Sequence, residues 1–158
     1  MGRNGLPCKF MKAKRINIVS LKMVKEASVL YAARRILSPD DAAGLVREFI
    51  EDADRERLVI ICLNTKNEPT AIHTVTIGTL NGSQVHPREV FKAALLANSA
   101  AIILAHNHPS GDPNPSREDV EITKRLKECG NLLGVSVVDH IVVGGEGKYV
   151  SLLEKGLM

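Results

Sequence analysis

The chain has 158 residues, 44% of them hydrophobic and 25% charged, with a net charge of +3, the ordinary balance of one globular domain with its own core. Aromatic residues are only 3%, with no Trp, so the core must be aliphatic and a base-stacking platform for single-stranded nucleic acid is disfavoured. Cys8, Cys62 and Cys129 are far apart and odd in number, which argues against a disulfide framework or a C-x-x-C metal site.

Residues 1–25 carry Arg3, Lys9, Lys12, Lys14, Arg15, Lys22 and Lys25 and no acid, so the rest of the chain is net acidic. This stretch reads as an irregular basic arm ahead of a domain over 26–158. Such an arm attracts nucleic acid or an acidic partner, or else stays a solvated terminus. It lacks the apolar region and cleavage site of a signal peptide. No apolar run reaches the roughly 18 residues that suggest a membrane span. A cytoplasmic location with no membrane partner is therefore expected, in keeping with the free thiols.

Residues 26–36 (EASVLYAARRI) have helical periodicity and predict a first helix. Ser38-Pro39-Asp40-Asp41 resembles a helix start, and Ala42, Leu45, Val46, Phe49 and Ile50 predict an amphipathic helix to about Ala53. Residues 57–63 (RLVIICL) read as a buried strand. After the turn-rich Asn64–Pro69 comes a β-branched strand, 70–77 (TAIHTVTI), expected to pair with it as a hairpin. Gly78 to Val85 reads as a loop, Pro87 to about Asn98 as a helix, and 100–105 (AAIILA) as a strand ending at His106. A loop of Pro, Gly, Asn, Asp and Ser follows, and Ser116 opens a long helix ending near Gly130 or Gly134. Residues 135–143 predict a strand, Gly144–Gly147 a tight turn, and Tyr149–Leu153 a last strand. The order gives an α/β fold, a mixed central sheet flanked by helices.

The informative stretch runs from His106 to Asp119 and begins where a buried strand ends, the side on which open α/β sheets place ligands. On an extended backbone residues i and i+2 point the same way, so His106 and His108 aim at one point. Asp119, in the first turn of the next helix, can be brought to that point. Ser116-x-x-Asp119 is also a plain capping box, and both readings of Asp119 can hold together. Two histidines and one carboxylate leave a fourth tetrahedral position to water, the arrangement of a catalytic rather than a structural zinc site. The adjacent letters His-Asn-His carry no weight for an HNH nuclease, whose named residues are dispersed.

The whole pattern, His-x-His, ten residues, then Asp with Ser three before it, resembles the signature of the JAMM (MPN+, JAB) metallohydrolases. The flanking text Val85–Val90, Ala101–Ala105, Leu133-Gly134 and Asp139-His140 is similar to the RadC-like branch, from about Lys25 to the C-terminus. The resemblance implies the JAB/MPN, cytidine-deaminase-like architecture, with zinc held by His106, His108 and Asp119. It implies that Ser116 helps stabilise an oxyanion, and that a Glu on an early strand serves as general acid/base. Glu56 is the best match, with Glu51 and Glu68 as competitors. A peptidase or isopeptidase acting on a peptide or protein substrate is what the resemblance implies. A zinc nucleoside deaminase would need H-x-E with a later P-C-x-x-C, and neither is present.

Many RadC-like proteins carry a helix-hairpin-helix region before this domain. About 25 residues precede the match here, so that module is expected to be absent. The competing expectation is an adaptor without catalysis, associated with nucleic acid or DNA repair through the basic arm. A homo-oligomer paired through an exposed strand edge is also possible on this reading. Three further histidines stay open: His86 as a structural or loop-orienting residue, His140 as a residue that supports a metal ligand from behind or a satisfied core residue, and His73 with no partner.

Overall fold

The computed structural model describes residues 14–78 and 85–158; residues 1–13 of the basic arm and most of the predicted 78–85 loop lie outside them. The elements are α1 (Pro39–Ile50), β1 (Arg57–Leu63), β2 (Pro69–Ile77), α2 (Pro87–Leu96), β3 (Ala101–Asn107), α3 (Arg117–Leu133), β4 (Ser136–Val143) and β5 (Tyr149–Ser151). The α1 start is a reciprocal cap. Ser38 Oγ accepts from the Asp41 amide at 3.2 Å, and Asp41 Oδ2 accepts from the Ser38 amide at 3.0 Å.

The strands form one mixed sheet in the order β2-β1-β3-β4-β5. β1 pairs antiparallel with β2 and β3, β3 runs parallel to β4 with α3 as the crossover, and β5 closes antiparallel on β4. The fold class read from the sequence is the one observed. Two cores lie on the two faces. α1 packs its buried Ala43, Val46 and Ile50 on Val59, Ile61, Ile103, Ala105 and Ile141. α2 and α3 bring Val90, Phe91, Ile122 and Leu126 against Leu58, Ile60, Ile102 and Leu104. β1 and β3 are therefore covered on both sides, which is why they read as unbroken apolar runs. Cys62 is buried in the second core, where desolvation pushes its thiol pKa up.

β4 does not alternate regularly. Ile102 pairs with Val137, but Ile103 pairs with Asp139, so Val138 is the extra residue of a β-bulge. Val137 faces α2 and α3. Without the bulge Asp139 would share that face; with it, His140 does, level with Leu104. Asp139 turns to the chain end instead: Oδ1 accepts from the His140 amide at 2.7 Å and the Leu153 amide at 3.1 Å, and Oδ2 accepts from Ser151 Oγ at 2.7 Å.

Two elements differ from the sequence reading. Residues 26–36 form no helix: the segment is irregular, Arg34 has φ of 63°, and Leu30 is 98% exposed. An isolated helix that short is marginal in water without a face to bury. Here only Tyr31 and Ile36 reach the core, and the chain is tied down by Ile36 N donating to Asn67 O at 2.9 Å. The last strand stops at Ser151, where the chain turns and the Lys155 amide donates to Ser151 O at 3.2 Å. Among the described residues no helix is long and apolar enough to cross a membrane.

Burial raises the Asp139 pKa, against the bonds from Ser151, Leu153 and His140 that lower it. A carboxyl whose folded pKa lies above its unfolded value stabilises fully below the unfolded pKa, about 4, and loses that contribution as pH rises through the folded value. Asp139→Asn keeps an acceptor and removes the buried charge. It should therefore gain stability relative to wild type as urea melts are moved from about pH 4 to pH 7. Asp139→Ala strands the Ser151 hydroxyl and two amides and should lose roughly 3 kcal/mol at either pH.

Candidate metal centre

β3 ends by sending alternate side chains to opposite faces. His106 and His108 point to the α3 side, and Asn107 between them points to the α1 side. α3 starts beneath the two rings. Its N-cap Ser116 takes the Asp119 amide on Oγ at 3.1 Å, while Asp119 Oδ2 accepts from the Ser116 amide and hydroxyl, both at 2.7 Å. Asp119 is therefore a capping-box residue, and the cap is what turns its carboxylate toward the histidines. The capping role does not take Asp119 away from the group that could hold a metal ion.

The three side chains close a triangle. His106 Nε2 is 3.0 Å from His108 Nε2, Asp119 Oδ1 is 3.4 Å from His106 Nε2, and Asp119 Oδ2 is 3.5 Å from His108 Nε2. With one ligand atom per residue, all lie within 4.8 Å of one another. Tetrahedral zinc with N and O ligands at about 2.0–2.1 Å sets its ligand atoms about 3.4 Å apart, so the donor set fits zinc in both spacing and chemistry. These residues form a group that could hold a metal ion.

The electrostatics agree. His106 is fully buried, Asp119 is 4% exposed and His108 is 15% exposed, so the group opens to solvent on the His108 side. Burial alone would raise the Asp119 pKa, but the Ser116 hydroxyl and, when their rings are protonated, the facing His106 and His108 hold its carboxyl far below the usual carboxylate range. The Asp119 bond, partly opposed by burial, raises the His108 pKa. His108 Nδ1 lies 2.7 Å from the Asp112 carbonyl oxygen, which can only accept, so Nδ1 carries a proton and neutral His108 offers the Nε2 lone pair to the centre.

Glu56 lies just before β1. The β1–β3 register pairs Leu58 with His106, and carried two residues further it sets position 56 opposite position 108. Glu56 is close enough for its charge to raise the His108 pKa. The two competing acids are engaged elsewhere: Glu51 Oε1 accepts from the Gly147 amide at 2.8 Å, and Glu68 pairs with Arg34 and Asn64 at 3.0 and 2.8 Å. His86 is the exposed N-cap of α2 and makes no side-chain cap bond. His73 is exposed on edge strand β2.

Sequence reasoning missed Asn107. Its side chain is buried, with Oδ1 accepting from the Arg57 amide at 2.8 Å and Nδ2 donating to the carbonyls of Arg55 at 3.1 Å and Ala53 at 3.4 Å. It clamps the segment that presents Glu56. Strand alternation foretells that it is buried away from the histidines, but not where its bonds go. The loop after His108 is held as closely. The His108 amide donates to Val143 O and the Gly145 amide to Gly111 O, both at 2.9 Å. A Cβ on Gly144 would sit 2.5 Å from Gly111 O and 2.8 Å from Pro113 Cδ.

Asn107→Ala should lose roughly 2 kcal/mol in denaturant melts, chiefly from the stranded Arg57 amide, and should leave the metal group intact. Gly144→Ala should push the His108 loop off the β4–β5 turn, losing about 1–3 kcal/mol and broadening the His108 ring signals in NMR spectra.

The model of the RadC-like JAB domain matches residues 36–157. A UPF0758 protein of Desulforamulus reducens is 48% identical over 141 residues, covering 88% of this chain and 62% of that protein. UPF0758 proteins of Clostridium kluyveri and Clostridium botulinum are 57% and 49% identical over 78% and 90% of this chain, and 54% and 64% of their own lengths. This chain thus spans a little over half the length of the curated relatives it matches. With its sheet order, its His-His-Asp group and a family match over most of its length, the chain belongs to the RadC-like JAB domain family.

Proposed function

We propose that this chain is a zinc metallohydrolase that cleaves an amide bond, as a peptidase or isopeptidase. The observation that carries the reading is the triangle of His106 Nε2, His108 Nε2 and the Asp119 carboxylate, spaced for one tetrahedral ion and reached by solvent from one side. JAB domains include metalloproteases, and the relatives' shared family supports the class of chemistry without naming a substrate.

His106, His108 and Asp119 would hold the zinc, three protein ligands being the usual set of a hydrolytic site. A bound zinc supplies Lewis acidity, lowering the pKa of water to near 7 and polarising a carbonyl. Glu56, across the sheet from His108, takes the proton from the attacking water and returns it to the leaving amine, so one carboxylate serves as base and then acid. Ser116 is exposed at the mouth of the group, and its hydroxyl can turn from Asp119 to the developing oxyanion. The Ser116 amide stays on Asp119 Oδ2 while the hydroxyl moves, so the cap survives.

Purified chain titrated with zinc should bind one equivalent, and His108→Ala should bind none. Glu56→Gln should keep its zinc and lose about 100-fold or more in hydrolysis of quenched peptides or a lysine-linked isopeptide. Hydrolysis that survives in Glu56→Gln, or that resists chelator, would overturn this reading.

A further inference from the structure

Behind His106 lies a chain of buried polar groups that returns to Asp119. His106 Nδ1 is 2.7 Å from His140 Nε2, His140 Nδ1 is 2.5 Å from Thr123 Oγ1, and Thr123 Oγ1 is 2.5 Å from the Asp119 carbonyl oxygen. His106, Thr123 and His140 are all at most 1% exposed, and Asp119 is buried beside them. The β4 bulge brings His140 to this face, and Thr123 stands one helical turn after Asp119 on α3.

The sense of every bond follows from the far end. A carbonyl oxygen only accepts, so the Thr123 hydroxyl donates to Asp119 O. Thr123 Oγ1 then accepts from His140, which places a proton on His140 Nδ1. Neither nitrogen of the buried His140 ring meets a carboxylate, so the ring is neutral and its Nε2 is an acceptor. His106 must then donate from Nδ1, and its Nε2 is left with a bare lone pair. That lone pair faces the Nε2 of His108 at 3.0 Å, whose own Nδ1 is committed to Asp112 O. Two nitrogen lone pairs and a carboxylate converging at this range repel one another unless a cation or proton lies among them.

We infer that Thr123 and His140 are positioning residues for the metal: they fix the tautomer and ring plane of His106 and tie that ligand to the backbone of Asp119. The inference rests on the zinc reading above. It makes the affinity of the centre depend on two residues that touch no ion themselves. Groups that hold the far nitrogen of a ligating histidine typically change metal affinity by 10–100-fold.

The test is zinc affinity by competition with a chromophoric chelator, together with the visible spectrum of the cobalt(II)-substituted protein. Thr123→Val is nearly isosteric and removes only the hydroxyl. It should weaken zinc about tenfold or more and shift the cobalt bands, with Thr123→Ser restoring both. His140→Phe should weaken zinc at least as much, and adding Thr123→Val to it should weaken zinc no further, because the relay is already cut. Thr123→Val that loses thermal stability but keeps wild-type zinc affinity and an unchanged cobalt spectrum would overturn the inference, leaving the relay purely structural. Wild-type protein that binds no zinc would sink the metal reading itself, an outcome seen before any variant is compared.

Discussion

Asp119 is a carboxylate held out of water at the start of a helix, and the architecture around it compensates that burial. The α3 N-terminus helps, since amides there favour negative charge and Ser116 supplies two donors to one oxygen. Two imidazole rings from β3 face the same carboxylate, and they stabilise it only with a proton or a cation held among them. Removing the ionised group from bulk water makes each remaining interaction stronger, and a divalent ion placed there meets one full charge and two lone pairs. The same burial would be destabilising if any of these partners were missing. For that reason the cap, the strand end and the ring tautomers form one design.

The sheet delivers those partners by parity. β3 has to run extended through His106 and Asn107 so that alternate residues divide between the α3 face and the α1 face. The histidines then serve the centre, and Asn107 serves the segment that carries Glu56. β4 has to break parity once, at Val138, so that one strand can offer Asp139 to the chain end and His140 to His106. The β4–β5 turn then has to stay free of a Cβ at Gly144, because the backbone after His108 lies directly against it. Each is a backbone requirement, and each acts on a residue of the His-His-Asp group or on its support.

The sequence carried much of this in plain form. The apolar runs of β1 and β3, the caps at Ser38 and Ser116, and the β-branched β2 declared themselves through composition and period. The grouping of His106, His108 and Asp119 was foreseen from strand alternation and family resemblance together. What stayed hidden depends on long-range geometry. A single-residue bulge leaves no trace in VSVVDHIVV, so His140 could not be assigned a face. The partners of Asn107 lie some fifty residues away. The helical period of 26–36 misled because periodicity records which residues could share a face, not whether the fold offers a surface to cover it. There only Tyr31 and Ile36 found one.

X-ray absorption of the zinc-loaded chain addresses the central claim at the metal itself. The account predicts a first shell of nitrogen and oxygen alone at about 2.0–2.1 Å, with the outer-shell scattering of two imidazoles. A sulfur neighbour at about 2.3 Å, drawn from Cys8, Cys62 or Cys129, or a shell without two imidazoles, would contradict it.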